Sequence, residues 1–270
     1  MVKYYDSIPD FLLPWIEKQK MFWVATAPLT GDGLVNVSPK GMTGTFHIIN
    51  TNKVWYEDLT GSGIETVAHV RENGRITVLF HAFEGPPRIC RMYGRGTVHE
   101  FGTPEYDQLL PLEKRKVGSR SIVMLDIFKV GISCGYAVPL MEYKGERNRL
   151  VLDLYKAEVA DVDAEKDLDL SSPSSEPPLP TTGLKRYWSF RNDTSLDGLP
   201  GMLVGHQSHK TFAMPEPIQA RRREDLEDLE AVSGKVIFKV GVEELKFIAA
   251  FLAGAMISTS YFNYVKPRGW

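Results

Sequence analysis

Thr60, Ser62 and Thr66 place three hydroxyls within the stretch "LTGSGIETVAHVRENGRITVLF", with Gly61 and Gly63 between them. Hydroxyls grouped with free backbone N–H groups at a helix start can hold an anion without a metal. The glycines relieve the steric limits on φ and allow a tight turn. Ile64, Val67, Ala68 and Val70 recur at helical spacing, so a helix is predicted behind the turn. Asn73-Gly74 would stop it, because both residues tolerate a left-handed cap. Arg75 to Phe80 is β-branched and apolar and reads as a buried strand. Two common phosphate motifs are excluded. The dinucleotide fingerprint lacks its third glycine, and no Gly-Lys-Ser/Thr follows to make a P-loop. The plainer reading is a capping box, with Ser62 and Glu65 bonding reciprocally. One helix end can serve both purposes.

Other reactive side chains offer less. Cys134, in "SCGYAVP", has no histidine near it in sequence, and a free cysteine packs as a small hydrophobe. Cys90 alternates with Met92 and reads as core. The six histidines, His47, His69, His81, His99, His206 and His209, show no metal-ligand spacing, so no metal is expected. His47 and His81 fall in strands, and His206 and His209 in an exposed loop. Arg91, Tyr93 and Arg95 share one face of a strand, which is either a solvated exterior or the lining of a cleft.

The elements that must position these groups follow from the whole chain. At 270 residues with a net charge of −2, it can bury one good core, and no basic stripe points to nucleic acid. Two cysteines make no disulfide framework and fit a reducing, cytoplasmic setting. The opening carries Asp6, Pro9, Asp10 and Pro14 where a signal peptide needs an apolar run. Short apolar runs at 22–27, 34–38, 43–49, 54–59, 75–81, 89–98 and 121–132 alternate with turns, which predicts a mainly β barrel or sandwich. A helix carrying Leu150, Leu154 and Ala157 follows. Composition then divides the chain into a barrel domain (1–160), a flexible acidic Ser/Pro-rich linker (161–183), a segment packing on the barrel (184–202) and a C-terminal extension (203–270). Within the extension, residues 247–265 hold no charge and are just long enough to cross a membrane. Ala250 and Gly254 give small-xxx-small spacing there. That segment is either a tail anchor for a cytosol-facing domain or a helix packed on the barrel.

Five ordered blocks carry a family resemblance. They are "ATAPLTGDGLVNVSPKG", "VWYEDLTGSGIETVAHVRENGRITVLF", "AFEGPPRICRMYGRGTVH", "SCGYAVPLMEYKGER" and "SLDGLPGM". Together they resemble the pyridoxamine 5′-phosphate oxidase-like FMN-binding split barrels over roughly residues 10 to 202. The resemblance implies a six-stranded Greek-key barrel, a homodimer and FMN at the dimer interface. It assigns Thr60, Ser62 and Thr66 to the FMN phosphate. It sets Val37 and Ser38 at the isoalloxazine edge and lets Lys40 reach phosphate or a ring carbonyl. "PPRICRMYG" is similar to an Arg-Gln-Val-Arg-Val strand, making Arg88 and Arg91 flavin contacts. Haem through one axial histidine is the alternative cofactor, since some relatives of this fold bind haem.

Two departures matter. Founding members place Lys or Arg soon after the phosphate-turn Ser, whereas Gly63, Ile64 and Glu65 follow Ser62 here. Glu65 suits the helix dipole but repels a phosphate. The compensating cation must be Lys40, Arg71, Arg75, Arg88 or a partner-subunit residue. The Arg-Leu-His-Asp-Arg substrate motif is also missing, with Trp188, Arg191 and "SLDGLPG" in its place, so pyridoxamine phosphate oxidation is not carried over. The expectation is an FMN-binding oxidoreductase with an unassigned small-molecule substrate. A non-catalytic flavin or haem binder and a cofactor-free scaffold are the competing classes. No side chain is singled out as a catalytic acid or base.

Overall fold

Strict alternation in the strands sets the architecture. In Phe22–Thr26 the side chains of Phe22, Val24 and Thr26 are buried while their neighbours are half exposed, the period expected of a sheet with one face on a core. The computed structural model describes residues 2–166 and 179–213, and those residues fall within one compact unit. Eight antiparallel strands appear, β1 (Lys3–Tyr5), β2 (Phe22–Thr26), β3 (Asn36–Lys40), β4 (Phe46–Asn50), β5 (Lys53–Leu59), β6 (Arg75–His81), β7 (Ile89–Glu100) and β8 (Ser119–Ser133). Helices are α1 (Leu13–Glu17), α2 (Glu65–Asn73), α3 (Pro104–Leu109), α4 (Arg149–Lys166) and α5 (Leu184–Arg191). The sheet runs β3-β2-β6-β7-β8-β5-β4, and β1 adds to the far end of β8. The fold is thus a split barrel with eight strands, not the expected six. The additional short β1 is accommodated because β8, at 15 residues, outruns its other partners.

The open edges, β3 and β4, are consecutive in sequence. Aromatic side chains close the gap between them. Phe22 lies 5.1 Å from Phe46 and 5.3 Å from Tyr56, and Phe46 lies 4.9 Å from Phe80. Each such pair adds about 0.5–1.5 kcal/mol beyond its buried area. Cys90 and Met92 complete this inner core, as their alternation predicts. A second core lies outside the sheet, where Trp55, Ile64, Phe101, Ile122 and Trp188 meet under the helices. β5 is the element covered on both faces. Val54 and Tyr56 point into the barrel and Trp55 into the outer core. The 60–62 turn therefore leaves β5 at the seam between two cores.

The domain limits drawn from composition need correction. α4 continues through Lys166, and Asp161, Val162 and Glu165 in the expected linker are buried. Partners explain it. Asp161 accepts the Leu184 and Lys185 N–H groups at 2.7 and 3.0 Å, and the fully buried Lys185 donates to Glu165 at 2.5 Å. Packing also continues past Met202, since Phe212 is buried against Phe101 and Trp188. Glu100 anchors this stretch by accepting the backbone N–H groups of Leu203, Val204 and Gly205 at 2.7–2.8 Å. Among the described residues no helix is long and apolar enough to cross a membrane. Residues 247–265 lie outside the described residues.

Candidate functional site

α2 begins where its sequence said it would. Gly74 caps its C-terminus at φ 70°, and the Gly74 N–H reaches the Val70 carbonyl at 2.9 Å. The N-terminus differs from the capping-box reading. Ile64 is the N-cap, with no side-chain cap. The first bond runs from Ala68 N–H to the Ile64 carbonyl at 3.0 Å, so the N–H groups of Glu65, Thr66 and Val67 precede it. Such orphan donors carry the positive end of the helix dipole. Ser62 is exposed beside them. A β-carbon on Gly63 would collide with the Glu65 carboxylate, so Glu65 folds back across the turn.

A charged cluster lies beneath the turn. Asp58 is fully buried and pairs with Lys40 at 2.7 Å and Arg120 at 2.8 Å. Burial alone would raise its pKa, but the Arg120 guanidinium and the Lys40 ammonium outweigh that and hold it at about 2. Two cations against one anion leave a surplus of one positive charge. Arg120 also donates to the Asn192 side chain at 2.8 Å, and Asn192 donates to the Gly61 carbonyl at 3.1 Å. The segment after α5 thus grips the turn directly. Gly201 completes the grip, because a β-carbon there would meet Ile64 and the Asn192 carbonyl.

The expected site residues separate into groups. Lys40, Ser38 and Asn36 share the inward face of β3, paired with Phe22, Val24 and Thr26. Val37 points the opposite way and is exposed. Adjacent strand residues face opposite sides, so Val37 and Ser38 cannot line one edge of a ligand. Thr60 is also reassigned. Its buried hydroxyl donates to the Gly118 carbonyl at 2.6 Å and accepts the Trp188 indole N–H at 2.8 Å, which makes it a structural bridge. Thr66 is buried and accepts from Asn36 at 2.9 Å. Ser62 remains the hydroxyl presented at the surface. Arg88 stacks over Trp15 at 5.4 Å, and Arg91 donates to Ser133 at 3.4 Å. Both stand at the start of β7, while Arg71 on α2 pairs with Glu100 at its end. Strand rise over the twelve residues from Arg88 to Glu100 separates them from the turn by roughly 40 Å along the strand. Within one chain they do not join it. Of the other proposed cations, Arg75 donates to the Pro28 carbonyl at 2.8 Å.

Sequence reasoning missed Asp58, Arg120 and Asn192. A signal existed for the first. Asp58 shares an inward row with Val54 and Tyr56, and a charge in such a row needs a buried partner. His69 was also passed over. Its ring nitrogens lie 3.1 Å from Thr26 Oγ1 and 3.0 Å from Asp197 Oδ2. Both being engaged, it has no nitrogen left for haem. His81 accepts the Trp23 indole N–H, and His47 stacks on Trp55 at 3.8 Å. Cys90 is buried and its thiol is pushed up to about 12 by burial. Cys134 is exposed, contrary to the packing expected of it.

The open antiparallel barrel with its turn, uncapped helix and buried cations defines a split-barrel protein built around an anion site. The chain belongs to the pyridoxamine 5′-phosphate oxidase family. The family model described as pyridoxamine 5′-phosphate oxidase matches residues 8–134. The pyridoxamine 5′-phosphate oxidase family protein ustO of Aspergillus flavus is 38% identical over 206 residues, covering 74% of this chain and 77% of that protein. Solved structures with similarity include HupZ of Group A Streptococcus (18% identity, TM-score 0.33, 41% of this chain and 82% of that one). Another is an FAD-binding protein of Mycobacterium smegmatis (12% identity, TM-score 0.34, 47% of this chain and 96% of that one).

Proposed function

We propose that the chain binds a flavin, specifically FMN, with its phosphate at the Ser62 turn, and works as an oxidoreductase. The observation that carries this reading is the surplus positive charge of Lys40, Asp58 and Arg120 beneath an uncapped helix start. A phosphate dianion matches that field, and the orphan N–H groups with the Ser62 hydroxyl supply donors to its oxygens. The family membership adds a class whose printed name is an oxidase of a phosphorylated substrate. Bound flavin would supply the redox chemistry. The protein's own part is to fix the phosphate, through Ser62 and α2, and to hold the turn rigid through Arg120, Asn192 and Trp188. Asn36 keeps the inward face of β3 ordered by donating to Thr26 and Thr66 while accepting from Ser38 at 2.9 Å.

Two copies complete the site in this reading. Arg88 and Arg91 stand far from the turn of their own chain, and exposed Val35 and Val37 on an edge strand offer apolar surface to a second copy. The experiment is the visible spectrum of the purified full chain before and after adding FMN, followed by NADPH or NADH under exclusion of air. Saturable flavin binding with bleaching supports an oxidoreductase. Binding without bleaching by either donor removes the proposed redox role with nicotinamide donors, and no binding removes the flavin reading.

A further inference from the structure

The most developed concavity outside the β3 face is a groove of about 700 Å³ between α4 and α5, with Thr60, Gly61 and Ser62 at its floor. We infer that this groove is a binding site for a small aromatic carboxylate. Most of its wall comes from residues beyond the 8–134 span of the family model.

The walls are apolar and set by two helical stripes. Leu150, Leu154 and Ala157 recur at three- and four-residue spacing on α4, and Tyr187 and Phe190 face them from α5. Ala157 is what keeps the groove open, because a larger side chain there would fill it. Phe190 is 72% exposed and Tyr187 36%, so two aromatic rings stand unburied on one helix face. Aromatic faces left in water beside a cavity of this size suit a flat apolar ligand.

The charge at the rim is positive. Arg186 and Arg191 both line the groove and are exposed. The carboxylate present, Asp153, is already paired with Arg149 at 2.8 Å. Among the described residues no carboxylate pairs with Arg186 or Arg191. Guanidinium groups bind carboxylates by two parallel hydrogen bonds, which selects an acid over a neutral ring.

The groove is also rigid. Lys185 joins α5 to Glu165 on α4, Asp161 holds the first N–H groups of α5, and Trp188 and Asn192 fix α5 to the turn. Arg115 pairs with Glu158 of α4 at 2.6 Å in the outer core. Burying this many charges is costly unless each is paired. The pairing fixes the separation of the two helices before any ligand arrives, and such preorganisation lowers the cost of binding.

The test uses the full chain with naphthoate as probe and naphthalenemethanol as its neutral counterpart, by calorimetry. Naphthoate should bind once per chain and about tenfold or more tighter than the alcohol, as one charge-assisted contact provides. Arg186→Gln with Arg191→Gln should remove that preference. Ala157→Phe should abolish binding of both probes. Tyr187→Ala with Phe190→Ala changes exposed residues that leave folding intact, and should weaken both probes at least fivefold. Equal affinity for acid and alcohol, or unchanged naphthoate affinity in the Tyr187/Phe190 double variant, would overturn the assignment. FMN titrated against bound naphthoate separates this inference from the flavin reading. Competitive displacement would mean that the groove holds the flavin and is no separate site. Naphthoate binding that persists with FMN present, or where FMN does not bind at all, supports the groove on its own.

Discussion

Thr60→Val tests whether this residue is a structural bridge or a phosphate ligand. Valine keeps the shape and removes the hydroxyl. In the structure that hydroxyl sits 2.6 Å from the Gly118 carbonyl and 2.8 Å from the Trp188 indole nitrogen, at 1% exposure. The Gly118 carbonyl keeps a second bond, from the Thr60 backbone N–H at 2.7 Å, so there the loss is one ordinary hydrogen bond, about 0.5–1.5 kcal/mol. The buried Trp188 N–H is left with no partner, which costs about 1–3 kcal/mol. The sum is about 2–4 kcal/mol, or a fall in Tm of about 4–16 °C for a domain of this size. Thr60→Ser retains the hydroxyl and should cost about 1 kcal/mol for the missing methyl. In a Trp188→Phe background the orphaned donor no longer exists, so Thr60→Val should cost only the Gly118 bond. Urea unfolding of the four proteins in the cycle gives the coupling directly. A Thr60→Val protein within about 0.5 kcal/mol of the parent, or an equal cost in both backgrounds, would refute the bridge.

Glu65→Gln removes the carboxylate that folds across the turn and should raise FMN affinity at least about threefold in a flavin-fluorescence titration; weaker binding would mean that Glu65 assists the site. Asp58 has a depressed pKa, about 2 when folded against 3.8 ordinarily. Its stability contribution, about 2 kcal/mol, is therefore full above pH ~4 and lost as pH falls through ~2. Unfolding midpoints measured across that window should lose this acid limb in Asp58→Asn, and an unchanged limb would contradict the pairing. Sedimentation at micromolar concentration should give twice the chain mass, and a monomer that holds FMN stoichiometrically would sink the two-copy site.

The strands were readable because alternation is local. Phe22, Val24 and Thr26 declare an inward face without reference to the rest of the chain, and Gly74 declares a helix end. The site was less readable because its contacts are distant. Arg120 reaches Gly61 across 59 positions and Asn192 reaches it across 131, separations at which no periodicity operates. Composition misled at residue 161. Acidic side chains were taken for solvated ones, but Asp161 and Glu165 find donors on α5, some twenty residues on. Val37 and Ser38 were placed together against their own strand period, which a stricter use of alternation would have caught. Thr60 had the right residue type for an anion site. Only the arrival of Trp188, 128 positions later, determines that its hydroxyl is already engaged.

The central claim is that the turn after β5 recognises a phosphate. FMN and riboflavin share the same ring and differ in that phosphate, so their affinities for the purified full chain test it most directly. FMN should bind at least about tenfold tighter, as a charge-assisted hydrogen bond of about 1.5–3 kcal/mol provides. Ser62→Ala combined with Lys40→Met should bring the two affinities together by weakening FMN alone. Equal affinity of the parent protein for FMN and riboflavin would contradict the account, as would a preference for FMN that survives both substitutions.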